Sequence, residues 1–231
     1  MKRVLLKLSG EALAGENRTG FDEKTVMEVA GQIRELAEQG IQIGIVIGGG
    51  NFWRGRSSGR MNRVKADQIG MLSTVLNCIY VSDALHSLGV RTRIMTPFVC
   101  GSFTTLYSYD QAIAGLEEGI VTFFAGGTGH PYFSTDTATV LRAVEIGAEV
   151  ILLAKSVDGV YDSDPKDNPA ARKYDEISIQ EVIDKRLGVM DLAASMLSME
   201  NNMPLLVFGL GEERSLIRAA SGERIGTRIY I

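Results

Sequence analysis

Residues 150–154 read Val-Ile-Leu-Leu-Ala. A strand with one face in water alternates apolar and polar side chains. This run is apolar throughout, as expected of a central parallel strand covered on both faces. Strand-like runs at 4–8, 41–47, 92–96 and 120–125 alternate with helix-like segments at 21–39, 64–88, 110–118 and 136–146. Within 21–39, Val26, Val29, Ala30, Ile33, Leu36 and Ala37 recur near the helical period, and Gly40 suits the position just past the helix end. Gly89 and Gly147 close the next long helices in the same way. Within 64–88, Ile69, Leu72, Leu76 and Ile79 form a stripe that suits a core or a subunit contact, and Asp110 is a candidate N-cap. Beyond residue 154, 163–174 is polar with Pro165 and Pro169 and reads as an exposed loop. Ser178 and Glu181 make a capping box, 191–202 is helical, and 205–208 and 227–231 are strands. The repeated strand–helix order predicts an α/β fold with a mostly parallel sheet, whose ligands bind beyond the carboxyl ends of the strands.

Composition narrows the function classes. The chain has 231 residues, a net charge of −4, and 45% hydrophobic and 23% charged residues, so a packed core is expected and disorder is not. No basic block large enough to grip a nucleic acid is present. The densest cationic stretch, 54–65, holds five cations and suits either local phosphate contacts or a solvated loop. Cys78 and Cys100 are too few for a disulfide framework and fit a reducing compartment. Lys7 and Glu11 interrupt the first apolar run, which argues against a signal peptide, and no run is long enough to span a bilayer.

Neither a Walker P-loop nor a G-x-G-x-x-G dinucleotide fingerprint occurs. With only His86 and His130, a histidine metal site or a Ser-His-Asp triad is poorly supported. Four strand-end segments remain. Lys7-Leu8-Ser9-Gly10 ends the first strand, and a lysine there needs a partner unless it faces water. Gly48-Gly49-Gly50-Asn51 can form a nest of amides for an anion, and Arg54 can add a charged contact. Residues 126–136, Gly-Gly-Thr-Gly-His-Pro-Tyr-Phe-Ser-Thr-Asp, are too dense in glycine and hydroxyl for a plain turn and suit a binding loop. The fourth segment, 157–165, contains Asp158-Gly159 and Tyr161, which could pack on a flat base. Four such loops at four strand ends suit one phosphate-rich site.

Lys-Leu-Ser-Gly-Glu-Ala-Leu, Val-Ile-Gly-Gly-Gly-Asn, Met-Asn-Arg-Val-x-x-Asp, Gly-Thr-Gly-x-Pro-Tyr-Phe-Ser-Thr-Asp and Val-Met-Asp-Leu-Ala-Ala together resemble the bacterial uridylate kinases of the amino acid kinase superfamily. The resemblance implies a three-layer αβα sandwich forming one domain over 1–231, with the acceptor site mainly N-terminal and the ATP site mainly C-terminal. It implies phosphorylation of UMP by ATP with Mg²⁺ carried on ATP, in a cytoplasmic homohexamer activated by GTP and inhibited by UTP. For ATP it implies Lys7, Leu8, Ser9, Gly10, Gly50, Arg54, Lys155, Tyr161 and Asp164. For UMP it implies Gly49, Asp67, Thr128, Gly129, His130, Pro131, Tyr132, Phe133, Ser134 and Thr135. Lys7, Arg54 and Asp136 form the catalytic set, with Asp136 orienting Lys7, and Asp191 is a further carboxylate of the pattern. The chain departs from the family at Lys155-Ser156, at His130 where relatives often have Asn, and at Ser82 near the helix of Asp83 and His86 that serves GTP. Other readings are a carboxylate or carbamate kinase of the same superfamily and a nucleotide-binding sensor or storage protein.

Overall fold

The computed structural model describes residues 1–17, 19–54 and 59–231. Its centre is β1 (Arg3–Leu8), paired in parallel with β2 (Gln42–Ile47) on one side and with β6 (Val150–Lys155) on the other. Beyond β2 lie β5 (Val121–Phe124), β3 (Thr92–Thr96) and the short β4 (Thr105–Leu106). Beyond β6 lie β10 (Leu205–Gly209), β11 (Thr227–Tyr230) and β9 (Glu176–Ser178). Within this nine-stranded sheet the β10–β11 pairing alone is antiparallel among the described residues. A separate antiparallel ribbon pairs β7 (Val160–Tyr161) with β8 (Lys173–Tyr174).

Period-two alternation sorts the strands onto two cores. Val4, Leu6 and Leu8, with Ile43, Ile45, Ile47, Leu152 and Ala154, face α2 (Glu23–Glu38), α3 (Arg63–Ser87) and α8 (Ser215–Ala220), and Leu13 of the short α1 (Gly10–Leu13) joins them. Leu5, Val46, Ile151 and Leu153 face the other way, toward α4 (Tyr109–Glu117), α5 (Thr135–Glu145), α6 (Ile179–Asp184) and α7 (Leu192–Glu200). Helices on both faces of a mostly parallel sheet make the expected αβα sandwich. Each fully buried aliphatic side chain contributes about 1.5–3 kcal/mol relative to exposure. Among the described residues, no helix is long and apolar enough to cross a membrane.

The expected helix-closing glycines hold: Gly40, Gly89 and Gly147 have φ of 80°, 79° and 63°, the left-handed region that glycine enters without a Cβ clash. Ser178 caps α6 as expected, accepting from the Glu181 amide. One expectation is corrected, and of the two readings of the α3 stripe the core one is excluded. The N-cap of α4 is Ser108, whose hydroxyl accepts from Gln111, and Asp110 sits inside the first turn. The stripe of α3 is turned the other way: Leu72 and Leu76 are 51% and 52% exposed and Ile79 is exposed too, with Ile69 half-buried. The inward face instead carries Ala66, Ser73, Thr74, Val75, Asn77, Cys78, Val81, Ser82 and Leu85. Small and polar residues belong there because that face meets backbone: Asn77 donates to the Gly48 carbonyl and Thr74 accepts from the Gly126 amide.

Candidate active site

β1, β2 and β6 end side by side, and a cleft opens beyond their carboxyl ends. Lys7 lies two residues after Leu5, and Lys155 two after Leu153, so alternation sends both lysines to the face covered by α5. Lys7 is only 8% exposed, and its Nζ stands 3.0 Å from Asp136 Oδ1 in the first turn of α5. Ser134 builds that turn, its Oγ accepting from the amides of Asp136 at 3.0 Å and Thr137 at 3.2 Å. A carboxylate in the first turn is favoured by the helix dipole. Lys155 donates to the Val189 carbonyl. Burial pushes its pKa down, opposed by the charge of Asp136 and reinforced by that of Lys7. Two ammonium groups around one carboxylate give the cleft a positive floor.

The cleft's walls are backbone. The Gly48 amide donates to Leu8 O at 3.0 Å and the Ser9 amide to Ala154 O at 3.2 Å, so the sheet ladder runs into the loops. A Cβ on Gly10 would lie 2.3 Å from Gly48 O, and one on Gly49 would lie 2.9 Å from Ser73 Cβ. Glycine at position 10 lets the two turns approach, and glycine at position 49 lets the second turn lie against α3, a close backbone packing that suits amide recognition of an anion. At the mouth Arg54 pairs with Glu11.

A second cavity adjoins the first and shares Gly49, Gly50 and Thr135 with it. Asp67, Thr128, His130 and Phe133 line it, with Trp53 and Arg63. Both oxygens of Asp67 accept from Arg63 Nε at 2.8 Å, and Oδ2 also accepts from the Tyr132 amide at 2.8 Å. That bond holds Tyr132 at φ 71°, a conformation that a residue with a Cβ seldom adopts. The Trp53 indole donates to Ala66 O at 2.8 Å, fixing its ring at the cavity wall.

The structure thus brings together Lys7, Ser9, Gly10, Gly50, Arg54, Asp136 and Lys155 around the cleft, and Gly49, Asp67, Thr128, His130, Phe133, Ser134 and Thr135 around the cavity. It places others elsewhere. The Leu8 side chain is buried in the core beneath, and its carbonyl accepts from the Gly48 amide. Gly129, Pro131 and Tyr132 belong to the loop but do not line the cavity, and Tyr132 is 66% exposed. Tyr161 donates to Asp158 at 2.6 Å in the β7–β8 region, and that carboxylate raises its pKa. Asp164 accepts from the Lys166 amide at 2.9 Å, and neither residue lines the cleft. Of the cationic stretch 54–65, residues 55–58, with Arg56, lie outside the described residues. Asp191 caps α7 through the Ala194 amide and accepts from the Ser134 hydroxyl, tying α7 to the start of α5.

Sequence reasoning missed Trp53, Arg63, Thr74 and the buried amides Asn51 and Asn77. Arg63 carried a signal, standing four residues before Asp67 at helical spacing. Trp53, the single tryptophan, stood next to Arg54. Asn77 carried none, because a polar residue inside an apolar helix reads as its solvent face, and Asn51 stood out only as the end of the glycine turn.

Residues 2–209 match the model of the amino acid kinase family. A uridylate kinase of Pediococcus pentosaceus is 49% identical over 231 residues, covering 99% of this chain and 96% of the relative. Among solved structures, a UMP kinase from Bacillus anthracis superposes with a TM-score of 0.94 at 38% identity, over 99% of this chain and 96% of that one. A UMP kinase from Ureaplasma parvum gives 0.93 at 34% identity, over 100% and 99%. Two-substrate geometry at the strand ends, the αβα sandwich and full-length similarity lead to one conclusion: the chain belongs to the amino acid kinase family.

Proposed function

We propose that this chain is a UMP kinase, transferring the γ-phosphoryl group of ATP to UMP to give UDP and ADP. One observation carries the reading: two cavities meet at Gly49, Gly50 and Thr135, beside the Lys7–Asp136 pair. The relatives' names supply the acceptor, and Asp67 in the second cavity suits a ribose diol.

The UMP phosphate oxygen attacks Pγ in line. The new O–Pγ bond forms as the bond from Pγ to the β-phosphate oxygen breaks, and ADP leaves with that electron pair. The acceptor phosphate is already ionised at neutral pH, so no general base is needed. The transition state is loose, with charge spread over its oxygens, and the protein's task is to position and to stabilise. Lys7, held by Asp136, meets the transferring group, and Lys155, Arg54 and the Gly49 and Gly50 amides offset the repulsion between two anionic substrates. Mg²⁺ travels on the ATP phosphates as part of the substrate. Tyr161 and Asp164 serve the nucleoside end of ATP.

The enzyme works as a single domain over 1–231 in the cytoplasm, as a homohexamer that GTP activates and UTP inhibits. The exposed apolar face of α3, with Leu72, Leu76, Ile79 and Tyr80, supports self-association. Ser82, hydrogen-bonded to Thr92 at 2.5 Å, stands where some relatives offer an arginine to GTP.

A coupled assay for ADP release, with UMP, CMP, AMP and carbamate side by side, tests the reading. UMP is expected to be the preferred acceptor. Turnover with carbamate and none with UMP would replace the reading by a carbamate kinase, and tight binding of both nucleotides with no turnover would replace it by a nucleotide sensor. Adding GTP and UTP, with sedimentation analysis, tests the regulation and the hexamer.

A further inference from the structure

Asn51 and Asn77 face each other as a reciprocal amide pair. Asn51 Nδ2 donates to Asn77 Oδ1 at 3.0 Å, and Asn77 Nδ2 donates to Asn51 Oδ1 at 2.8 Å. The second N–H of Asn77 goes to Gly48 O at 2.7 Å, and that of Asn51 to Gly20 O at 2.8 Å. All four amide donors are therefore used. Asn51 is 1% exposed and Asn77 is 0% exposed, so neither touches a nucleotide. The first turn of α1 rests directly on the pair: a Cβ on Gly10 would meet Asn51 Oδ1 at 2.4 Å and Asn77 Nδ2 at 3.0 Å, as well as Gly48 O.

We propose that Asn77, acting through Asn51 and the Gly48 carbonyl, is a positioning residue for phosphoryl transfer, fixing the spacing between the Ser9–Gly10 turn and the Gly49 and Gly50 amides. Two buried amides are no cheaper than an apolar filling of the same shape, since burying a polar group gains nothing unless it is bonded. What an apolar filling lacks is direction. A satisfied buried network selects one arrangement of the backbones that it joins. Here it joins two turns that line the cleft, and it does so from α3, the helix that also carries Asp67 of the other cavity. With Gly48 O untethered, the peptide planes of the glycine turn can rotate, and the amides lose their aim.

The inference rests on the UMP kinase reading, and its test separates the two. Asn77→Asp keeps the shape but removes both donors, and Asn77→Ala removes the group. Both are measured with the wild-type protein for kcat at saturating ATP and UMP, for UMP affinity by Trp53 fluorescence, and for fold by circular dichroism. Misplacement by about 1 Å lowers rates by about 10²-fold. The expected result is folded variants with kcat reduced about 10–100-fold and UMP affinity within about threefold of wild type. A merely structural role would lower thermal stability and leave the kcat of the folded variant alone. Folded variants with kcat within about threefold of wild type overturn the inference alone, whereas a wild-type protein that makes no UDP overturns the underlying reading. If neither variant folds, nuclear magnetic resonance of the wild-type protein decides. The Asn77 side-chain amide signals must then shift when a non-hydrolysable ATP analogue binds, and unmoved signals overturn the inference.

Discussion

Replacing Lys7 by methionine removes the ammonium while keeping a side chain of similar length packed at the end of β1. Two free energies have to be separated. The first is catalytic. A unit charge about 4 Å from a transferring phosphoryl oxygen, at an effective dielectric of about 20, is worth about 4 kcal/mol. Lys155 and the Gly49 and Gly50 amides remain in place and offset part of it, which leaves about 3–4 kcal/mol, or about 10²–10³-fold in kcat. The second is structural. Lys7 and Asp136 form a mostly buried pair, with side chains 10% and 21% exposed. Breaking such a pair costs about 3–5 kcal/mol. The Lys155 charge also acts on Asp136 and offsets part of this, so a smaller loss of about 1–3 kcal/mol is expected. A domain stable by about 5–15 kcal/mol remains folded at 25 °C after that loss. The assay is UDP formation at saturating substrates, beside urea unfolding of the same preparations. Asp136→Asn should lower kcat by a similar factor, because it removes the group that aims Lys7. A folded Lys7→Met protein with kcat within about threefold of wild type would refute the catalytic assignment.

Asp67→Ala should raise the KM for UMP more than it lowers kcat, since ribose contacts are made equally in ground and transition states, and a kcat loss at unchanged KM would argue against that role. Trp53, the only tryptophan, lines the same cavity, so its fluorescence should change when UMP is added. Lys155→Met should lower activity yet leave stability at pH 7 within about 1 kcal/mol of wild type, since burying the ammonium is itself unfavourable. The folded-state pKa of Lys155 is lowered, so the unfolded chain binds more protons between that value and the ordinary lysine value. Wild-type stability therefore gains a rise with pH across that window, which the variant lacks; matching slopes in urea titrations would contradict this. Burial, aided by the hydrogen bond to Glu145, raises Tyr107 to about 12. The unfolded chain loses its proton first, so this residue's contribution falls from about pH 10 upward. Tyr107→Phe should cost about 1 kcal/mol at neutral pH and flatten the alkaline decline, as read by unfolding and tyrosinate absorbance.

The sheet was legible because parallel strands buried on both faces leave unbroken apolar runs, as at residues 150–154. The helix ends were legible because Gly40, Gly89 and Gly147 mark a conformation that other residues avoid. The orientation of α3 was not. Large apolar residues pointed to one face, while the buried face was chosen by hydrogen bonds from Asn77, Thr74 and Ser82 to groups more than ten positions away or at that distance. Strands β4, β7 and β8, two residues each, are too short to show a period. At the site, residues that meet a ligand through backbone glycine or a buried charge stood out in the sequence. The residues that hold those groups in place did not, because their partners are set by the fold.

Because Gly49, Gly50 and Thr135 line both cavities, one common partition separates them, and on the proposed assignment the two substrates would lean against it. Inhibitor design can exploit that. A compound joining adenosine to uridine through a short phosphate chain would place its second half at a high effective concentration as soon as the first half was seated. Its affinity should fall steeply with each phosphate removed from, or added to, the length that spans the partition, which makes a series of such compounds a molecular ruler for the distance between donor and acceptor.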